Sequence, residues 1–319
     1  MVRAPNWIGD HVMALPFYAG LRDFYPSAHL VLLHTAQIQG LRFGAFDEYW
    51  ELPSDWRRPK QLRHLSGELK SRAFDVAFSL PASWSSNLLL ALAGISHRIG
   101  FDEGGSGLLL THALRWRGSM ASRHKSEQYA DLLETVGGKG RFDFLAPKSG
   151  KRQKRIVLAP GAALGLREWP HVEDLAAALS KKFPEYGILL VGGAGEAKWQ
   201  SRFKRLKLPN FTDFVGQTNL EALCELLGTA EVVVANDSGV AHLSATVAGT
   251  PTVVLFGPGN PDYIRPLGEH VRPLFVSTLA CRPCDSNRCA GGYGYQACLR
   301  QLSAEEILLA VQKVLIETP

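Results

Sequence analysis

Short apolar runs alternate along the chain with stretches in which apolar residues recur at helical spacing. Runs such as Ile156–Pro160 and Thr252–Phe256 are rich in β-branched residues, as is typical of parallel strands buried on both faces. Between such runs, apolar positions three or four residues apart indicate amphipathic helices, for example over Val172–Lys182. The alternation predicts an α/β fold with parallel sheets.

The same pattern gives the individual elements. In the first half it predicts strands at Val2–Pro5, His29–His34 and Phe74–Leu80, and helices at Met13–Phe24 and Ser85–Ala93. In the second half it predicts strands at Ile156–Pro160, Gly187–Val191, Glu231–Ala235 and Thr252–Phe256, and helices at Val172–Lys182, Leu220–Leu227, Ala241–Ala248 and Ala304–Ile316.

A polar, basic and turn-prone segment separates the two halves. Residues 148–155 are predicted to link an N-terminal α/β domain, residues 1–147, to a C-terminal α/β domain, residues 156–319. A solvated loop within one domain is the alternative. The last helix could pack back on the N-terminal domain. Because ligands of such sheets bind at the carboxyl ends of the strands, a cleft between the halves is the first place to expect a site.

Composition narrows the class of protein. The chain has 319 residues, 46% of them hydrophobic, which excludes disorder as its dominant state. Its net charge of +5 allows an anionic partner without requiring nucleic acid, and none is predicted. No apolar run reaches the roughly 18 residues of a membrane span, and the N-terminus lacks the apolar stretch of a signal peptide. We expect a cytoplasmic protein without a transmembrane segment, able to touch the inner face of the cytoplasmic membrane.

The strongest chemical signal lies where an apolar strand gives way to a helix, at residues 232–242. The first amides of a helix lack partners within it and, with the helix dipole, attract anions. Asp237, Ser238, Gly239 and His242 occupy this turn and the first helical turn, so they are candidate phosphate ligands. The alternative is that Asp237 or Ser238 merely caps the helix and that His242 lies at the surface.

A second signal has the same form at the N-terminus. Gly9 and Asp10 follow a short strand and open a helix. Gly9 would allow close approach of the backbone to a ligand, and Asp10 could serve as a general base toward a hydroxyl group. A helix-capping role for Asp10 is the alternative.

Two further loops follow strands of the second half. Gly161 and Ala162 begin a loop of small residues that leads to Arg167, whose guanidinium could clamp a phosphate; a solvent-facing arginine is the alternative. The Gly-rich turn before Glu196 does not complete a dinucleotide fingerprint, although Glu196 could contact a ribose hydroxyl. No P-loop, zincin or serine-hydrolase motif is present in the sequence.

Four of the five cysteines fall in one short segment: Cys281, Cys284, Cys289 and Cys298. Their C-x2-C-x4-C-x8-C spacing makes them candidate ligands of a structural zinc, because C-x2-C is a common zinc hairpin, although the other gaps depart from a standard ribbon. An iron–sulfur centre and free thiols are the alternatives. The fifth, Cys224, fits a small core residue of a helix.

Taken together, these motifs resemble the heptosyltransferase family of glycosyltransferases. The resemblance rests on NWIGD followed by ALP at residues 6–16, on PGAALGLREWP at residues 160–170, and on NDSGVAHLSA with LFGPGNPD between residues 236 and 262. The form is closer to the second heptosyltransferase than to the first. It implies a GT-B architecture, in which two Rossmann-like domains face one another across an active-site cleft.

The resemblance also implies an activity: inverting, metal-independent transfer of heptose from ADP-L-glycero-D-manno-heptose to the lipopolysaccharide inner core, with no cofactor required for catalysis. It places Asp10 as the general base and puts Arg167, in place of the usual lysine, near the donor phosphates. Asp237, Ser238, Gly239 and His242 become the donor site, and Gly9, Gly161, Ala162 and Glu196 further candidates for it.

The implied acceptor is a polyanionic lipid A–Kdo at the membrane surface, which basic loops of the N-terminal half would suit. The candidate acceptor residues are Arg57, Arg58, Lys60, Arg115, Arg117, Arg123 and Lys125. Ordinary solvated charge is the alternative for each cluster. A relative that uses another nucleotide sugar or acceptor, and a non-catalytic sugar-nucleotide-binding protein, remain open as alternative functions.

Overall fold

The computed structural model describes residues 1–118, 123–143, 151–284 and 286–317. The chain divides into two compact units, Met1–Phe144 and Leu145–Pro319, each built around its own parallel sheet.

The first unit contains β1 (Val2–Arg3), α1 (Ile8–Met13), α2 (Leu15–Phe24), β2 (Val31–His34), β3 (Glu48–Glu51), α3 (Pro59–Ser71), β4 (Val76–Ser79), α4 (Trp84–Leu92), β5 (His97–Asp102), β6 (His112–Arg115) and α5 (Lys125–Glu134). The second contains β7 (Gln153–Ala159), α6 (Val172–Lys182), β8 (Gly187–Leu190), α7 (Ala197–Lys204), β9 (Phe211–Asp213), α8 (Leu220–Gly228), β10 (Ala230–Asn236), α9 (Gly239–His242), β11 (Thr252–Leu255), α10 (Pro261–Ile264), β12 (Val271–Leu274), α11 (Ala297–Arg300) and α12 (Ala304–Glu317).

Both sheets have the same strand order. The first runs β3-β2-β1-β4-β5-β6, and the second runs β12-β11-β10-β7-β8-β9. Read from β9 to β12, with β7 counted as its first strand, the second sheet has the same succession as the first. All the pairings are parallel. This is the Rossmann order, in which the direction of winding reverses between the first and fourth strands. The predicted α/β class is thereby confirmed.

The central strands of the second sheet are buried on both faces, which explains their continuous apolar sequences. One face of β7, β8, β10 and β11 packs into a core with α6 and α12, to which Ile307, Val311 and Val314 contribute. The last helix packs within the second unit, against α6, β10 and β11.

Several predicted bounds change. The helix predicted at Met13–Phe24 is two helices that meet at Ala14 and start at Ile8. The helix predicted at Ala241–Ala248 begins at Gly239 and passes into a π-helical turn, Leu243–Val247. Part of the predicted linker, from Gln153 onward, belongs to β7, while residues 148–150 lie outside the described part of the chain.

Candidate active site

In each sheet, the winding reversal lies beside at least one strand whose carboxyl end leads to a predicted motif. The reversal lies between β1 and β4 in the first sheet, and between β7 and β10 in the second. Asp10 follows β1, Arg167 follows β7, and Asp237 follows β10. Ligands of open α/β sheets bind at this position, so each unit presents its polar loops where a ligand is expected.

Asp10 is held by a lysine from the other end of the first unit. Lys125 Nζ donates to Asp10 Oδ1 at 2.8 Å. The ammonium also lies 5.4 Å from the centre of the Trp116 ring and 5.9 Å from that of Tyr129. No side-chain hydrogen bond caps α1, so the described structure does not support a capping role for Asp10. The carboxylate keeps about a quarter of its exposure and is therefore fixed yet reachable.

A buried arginine that the motif analysis missed supports the loop before Asp10. Arg3 is fully buried in β1, and its guanidinium donates to Ala4 O and to Asn6 Oδ1. It also lies 5.6 Å from the Trp56 ring centre. Burial, helped by the nearby Arg57, lowers the pKa of Arg3 to about 9. Its position between apolar neighbours of a strand was the signal in the sequence.

A cavity of about 710 Å³ opens at the carboxyl ends of β5 and β6. Its lining consists of Asp102, Glu103, Gly104, Ala113, Arg115, Trp116, Arg117 and Gly118. Trp116 connects it to the catalytic candidate, because the same ring lies beneath Lys125. Arg115 and Arg117 thus supply exposed positive charge close to the Asp10–Lys125 pair.

The remaining predicted acceptor residues, apart from Lys125, are not among the residues that line this cavity. Arg123, just before α5, donates hydrogen bonds to Asp131 and Glu127 of that helix, and these carboxylates raise the pKa of Arg123. Arg57 stacks 4.7 Å from the Trp56 ring centre. Arg58 lies 3.8 Å from the Asp55 carboxylate, and Lys60 is exposed near the start of α3.

His11, the residue after Asp10, gives a prediction about stability. It is completely buried and its Nδ1 lies 2.9 Å from Tyr18 Oη. Burial lowers the pKa of His11 from 6.5 to about 3. Between these pH values, His11 is therefore protonated in the unfolded chain but neutral in the folded protein. As pH falls from 6.5 toward 3, the free energy of unfolding should therefore fall by up to about 1.4 kcal/mol per pH unit.

Urea unfolding at pH 7.5 and pH 5.0 measures this effect. Wild type should lose roughly 2 kcal/mol more than His11→Gln between the two pH values. His64→Gln, at an exposed histidine of α3, is the matched control and should behave as wild type. Equal losses in wild type and His11→Gln would contradict the assignment.

In the second unit, Arg167 and Asp237 form an ion pair. Arg167 Nη1 donates to Asp237 Oδ2 at 2.9 Å, and the Asp237 side chain is 5% exposed. Gly259, in the loop after β11, lies against this carboxylate, since a Cβ there would come within 2.6 Å of Oδ2. The ion pair therefore joins three of the loops at this edge of the sheet.

Asn236 fixes the loop that carries Arg167. Its Nδ2 donates to Pro160 O at 2.6 Å, and its Oδ1 accepts from the Trp169 amide at 3.2 Å. The Trp169 ring is buried and its Nε1 donates to Leu302 O at 3.0 Å. Both ends of the loop from Pro160 to Trp169 are therefore held to the sheet.

Two side chains of this site, Ser238 and Arg167, carry buried polar atoms. Ser238 occupies the N-cap position of α9, yet its hydroxyl makes no capping hydrogen bond. Among the described residues, buried Ser238 Oγ and Arg167 Nε have no protein hydrogen-bond partner. Buried polar atoms of this kind are uncommon and indicate a ligand or water. His242 is buried one turn further along α9 rather than at the surface.

Glu196 fills a cradle formed by two glycines. A Cβ at Gly161 would lie 1.3 Å from Glu196 Oε1, and one at Gly192 would lie 2.4 Å from Oε2. The Gly193 amide donates to Oε2 at 2.7 Å. Burial raises the pKa of Glu196. The carboxylate thus lies against Gly161, the residue before Ala162, at the carboxyl ends of β7 and β8.

The four clustered cysteines give no support to the zinc prediction. Cys281 and Cys284 are exposed, while Cys289 and Cys298 are half-buried, and all are free thiols. Within residues 1–118, 123–143, 151–284 and 286–317, no group of three or more His, Cys, Asp or Glu side chains could hold a metal ion. Cys224 is partly buried in α8, and burial raises its pKa to about 11.

Comparison with known proteins decides the family. Residues 62–293 match the family model described as glycosyltransferase family 9 (heptosyltransferase). The chain belongs to this family. It is therefore a glycosyltransferase, as the motifs predicted.

Two heptosyltransferases are similar over nearly the whole chain. Lipopolysaccharide heptosyltransferase 2 of Escherichia coli is 26% identical over 87% of this chain and 88% of its own. Lipooligosaccharide heptosyltransferase 2 of Campylobacter jejuni serotype O:6 is 24% identical over 98% of each chain.

Solved structures show the same fold. E. coli ADP-heptose lps heptosyltransferase II has a TM-score of 0.79 at 24% identity, covering 99% of this chain and 98% of its own. A family 9 glycosyltransferase from Veillonella parvula has a TM-score of 0.78 at 19% identity, covering 99% and 96%. The predicted GT-B class, with two Rossmann-like units, agrees with these structures. No helix in the described part of this chain is both long and apolar enough to span a membrane.

Proposed function

We propose that this glycosyltransferase transfers heptose from ADP-L-glycero-D-manno-heptose to the inner core of lipopolysaccharide, with inversion and without a metal. One observation carries the proposal: the winding reversals of the two sheets carry complementary groups. A reachable carboxylate, Asp10, lies at one, and the Arg167 cation with the partnerless Ser238 hydroxyl lies at the other. A displacement reaction needs both sets.

The second unit is proposed to bind the donor. Arg167, Ser238 and the first amides of α9 would hold the diphosphate, with Gly239 allowing its close approach and His242 and Asp237 bordering it. Glu196, in its cradle beside Gly161 and Ala162, would accept hydrogen bonds from the ribose. The arginine and the amides stabilise the negative charge that collects on departing ADP, so no metal is needed for that purpose.

The first unit is proposed to supply the base. The acceptor hydroxyl attacks the anomeric carbon from the face opposite ADP, its proton passes to the Asp10 carboxylate, and the bond to the diphosphate oxygen breaks. One displacement inverts the configuration. Gly9 keeps the backbone before Asp10 free of a side chain, and Lys125 fixes the carboxylate. General bases of this kind contribute about 10²- to 10⁴-fold to rate.

The cavity beside Trp116 is the proposed acceptor site. Arg115 and Arg117 would bind the anionic groups of a lipid A–Kdo acceptor, while the Trp116 ring packs against a sugar. Such an acceptor lies in a membrane, so we propose that the enzyme works in the cytoplasm, peripherally on the inner face of the cytoplasmic membrane.

Calorimetric titration with ADP, UDP and GDP, in EDTA and then in magnesium, tests the donor assignment. ADP should bind at least about ten-fold more tightly than the others, a difference of about 1.4 kcal/mol, with equal affinity in both buffers. Preference for UDP or GDP would indicate another sugar donor. Binding that requires magnesium would contradict the metal-free mechanism, and no binding by any nucleotide would favour a non-catalytic role.

A further inference from the structure

The cysteine segment, residues 279–302, sends two polar side chains into the loops that form the proposed donor site. They are Gln296 and Arg282, and neither was singled out by its sequence pattern. Each donates hydrogen bonds to backbone carbonyls of a different loop. The segment that resembled a metal motif thus contacts the site through side chains other than its cysteines.

Gln296 holds the turn that carries Arg167. Its Nε2 donates to Glu168 O at 2.8 Å, to Leu166 O at 3.0 Å and, more weakly, to Gly165 O at 3.4 Å. The residue is 6% exposed and adopts a φ of +57°, which residues other than glycine seldom adopt. The backbone amide of Gln296 also donates to Cys289 Sγ at 3.3 Å, and this bond holds the backbone in this conformation.

Arg282 holds the loop after β11. Its guanidinium donates to Gly257 O, to Gly259 O at 3.2 Å and to Val276 O at 2.9 Å. The amide of Cys284 adds a bond to Pro258 O at 3.1 Å. Gly259 is the residue that lies against the Asp237 carboxylate, so Arg282 fixes the backbone that closes over the ion pair.

We propose that Gln296 and Arg282 are positioning residues that set the geometry of the Arg167–Asp237 pair through two different loops. The proposal rests on the donor site described above. Gln296 acts on the turn that carries the cation, and Arg282 acts on the loop that contacts the anion. Converging carbonyls need a donor with several N–H groups, which an amide or a guanidinium supplies and an aliphatic side chain does not. Small errors in the placement of such groups have large effects on binding and rate.

Reciprocal variants test this assignment. Gln296→Met keeps the length of the side chain but removes its donors, and Arg282→Lys keeps the charge but loses the fork. Gln301→Met, at an exposed glutamine just after α11, is the control. In Gln296→Met, hydrogen–deuterium exchange should be at least about ten-fold faster over residues 161–169 and unchanged over residues 256–260. In Arg282→Lys, exchange should be faster to the same degree over residues 256–260 and unchanged over residues 161–169.

ADP affinity gives the functional arm of the same experiment. Both variants should weaken ADP binding about ten-fold at unchanged ADP selectivity, whereas Gln301→Met should match wild type. Unchanged exchange in both loops would overturn the positioning role, whether or not nucleotide binds. Faster exchange in the expected loops together with unaltered ADP affinity would also overturn it, because the residues would then be merely structural. Failure of wild type to bind any nucleotide would count against the donor site itself, and the exchange arm would still decide whether these residues hold the loops.

Discussion

Replacing Asp10 by asparagine should slow heptose transfer about 10³-fold while leaving ADP affinity within about two-fold of wild type. The substitution keeps the shape of the side chain and a hydrogen-bond acceptor for Lys125, but it removes the group that takes the acceptor proton. Because Asp10 lies in the first unit and the nucleotide ligands are proposed in the second, rate and nucleotide binding should separate. Initial rates with ADP-heptose and a lipid A–Kdo acceptor, beside calorimetry with ADP, measure both.

The control for Asp10 is Asp23→Asn. Asp23 is an exposed carboxylate of α2 that also pairs with a cation, Arg141, but it lies away from the winding reversal. It should transfer heptose at the wild-type rate. Turnover by Asp10→Asn near that of wild type would show that the base has been misassigned. The midpoint of thermal unfolding distinguishes a loss of catalysis from a loss of folding, and Asp10→Asn should leave this midpoint unchanged.

Replacing Arg167 by methionine should lower kcat/KM by about 10²- to 10³-fold, the effect typical of removing one preorganised charge-stabilising group. Methionine fills a similar space but leaves the negative charge of departing ADP without the cation that now binds Asp237. Arg167→Lys should stay within about ten-fold of wild type, because it keeps the charge and loses only the fork. The measurement is the rate of transfer at varied donor concentration.

Arg205→Met, at an exposed arginine just after α7, is the matched control and should not change kcat/KM. If Arg167→Met retained wild-type kcat/KM, the donor phosphates would have to be bound elsewhere. If Arg167→Lys lost as much activity as Arg167→Met, the fork geometry rather than the charge would be decisive.

The apolar pattern predicted the central strands of the second sheet because they are buried on both faces, so their sequences carry no competing polar signal. It missed β3, β5, β6, β9 and β12, whose short sequences mix charged or polar residues with apolar ones. Pairing with a neighbouring strand, rather than local composition, places these segments in a sheet. A short pattern therefore predicts the middle of such a sheet better than its margins.

The candidate site shows the same division. Asp10, Arg167, Asp237 and Ser238 could be named as candidates because each lies between a strand and the next helix or in the first turn of that helix, where a local motif is sufficient. Lys125 was expected to bind the acceptor, but the structure pairs it with Asp10, which is distant in sequence. Gln296 reaches its partners across a similarly long separation. No local pattern marks such contacts, since they exist only once the fold has formed.

The repeated strand order has a consequence for how enzymes of this kind diversify. All the contacts described around Arg167, Asp237, Glu196 and Gln296 arise within residues 151–317, and those around Asp10 arise within residues 1–143. Each half therefore carries its own complete scaffold for its ligand groups. With the acceptor bound by the first unit and the donor by the second, as proposed, recombination that exchanges the first half between relatives should alter the molecule that is glycosylated while the inherited nucleotide preference persists. Chimeric enzymes joined between residues 143 and 151 would test that division of roles.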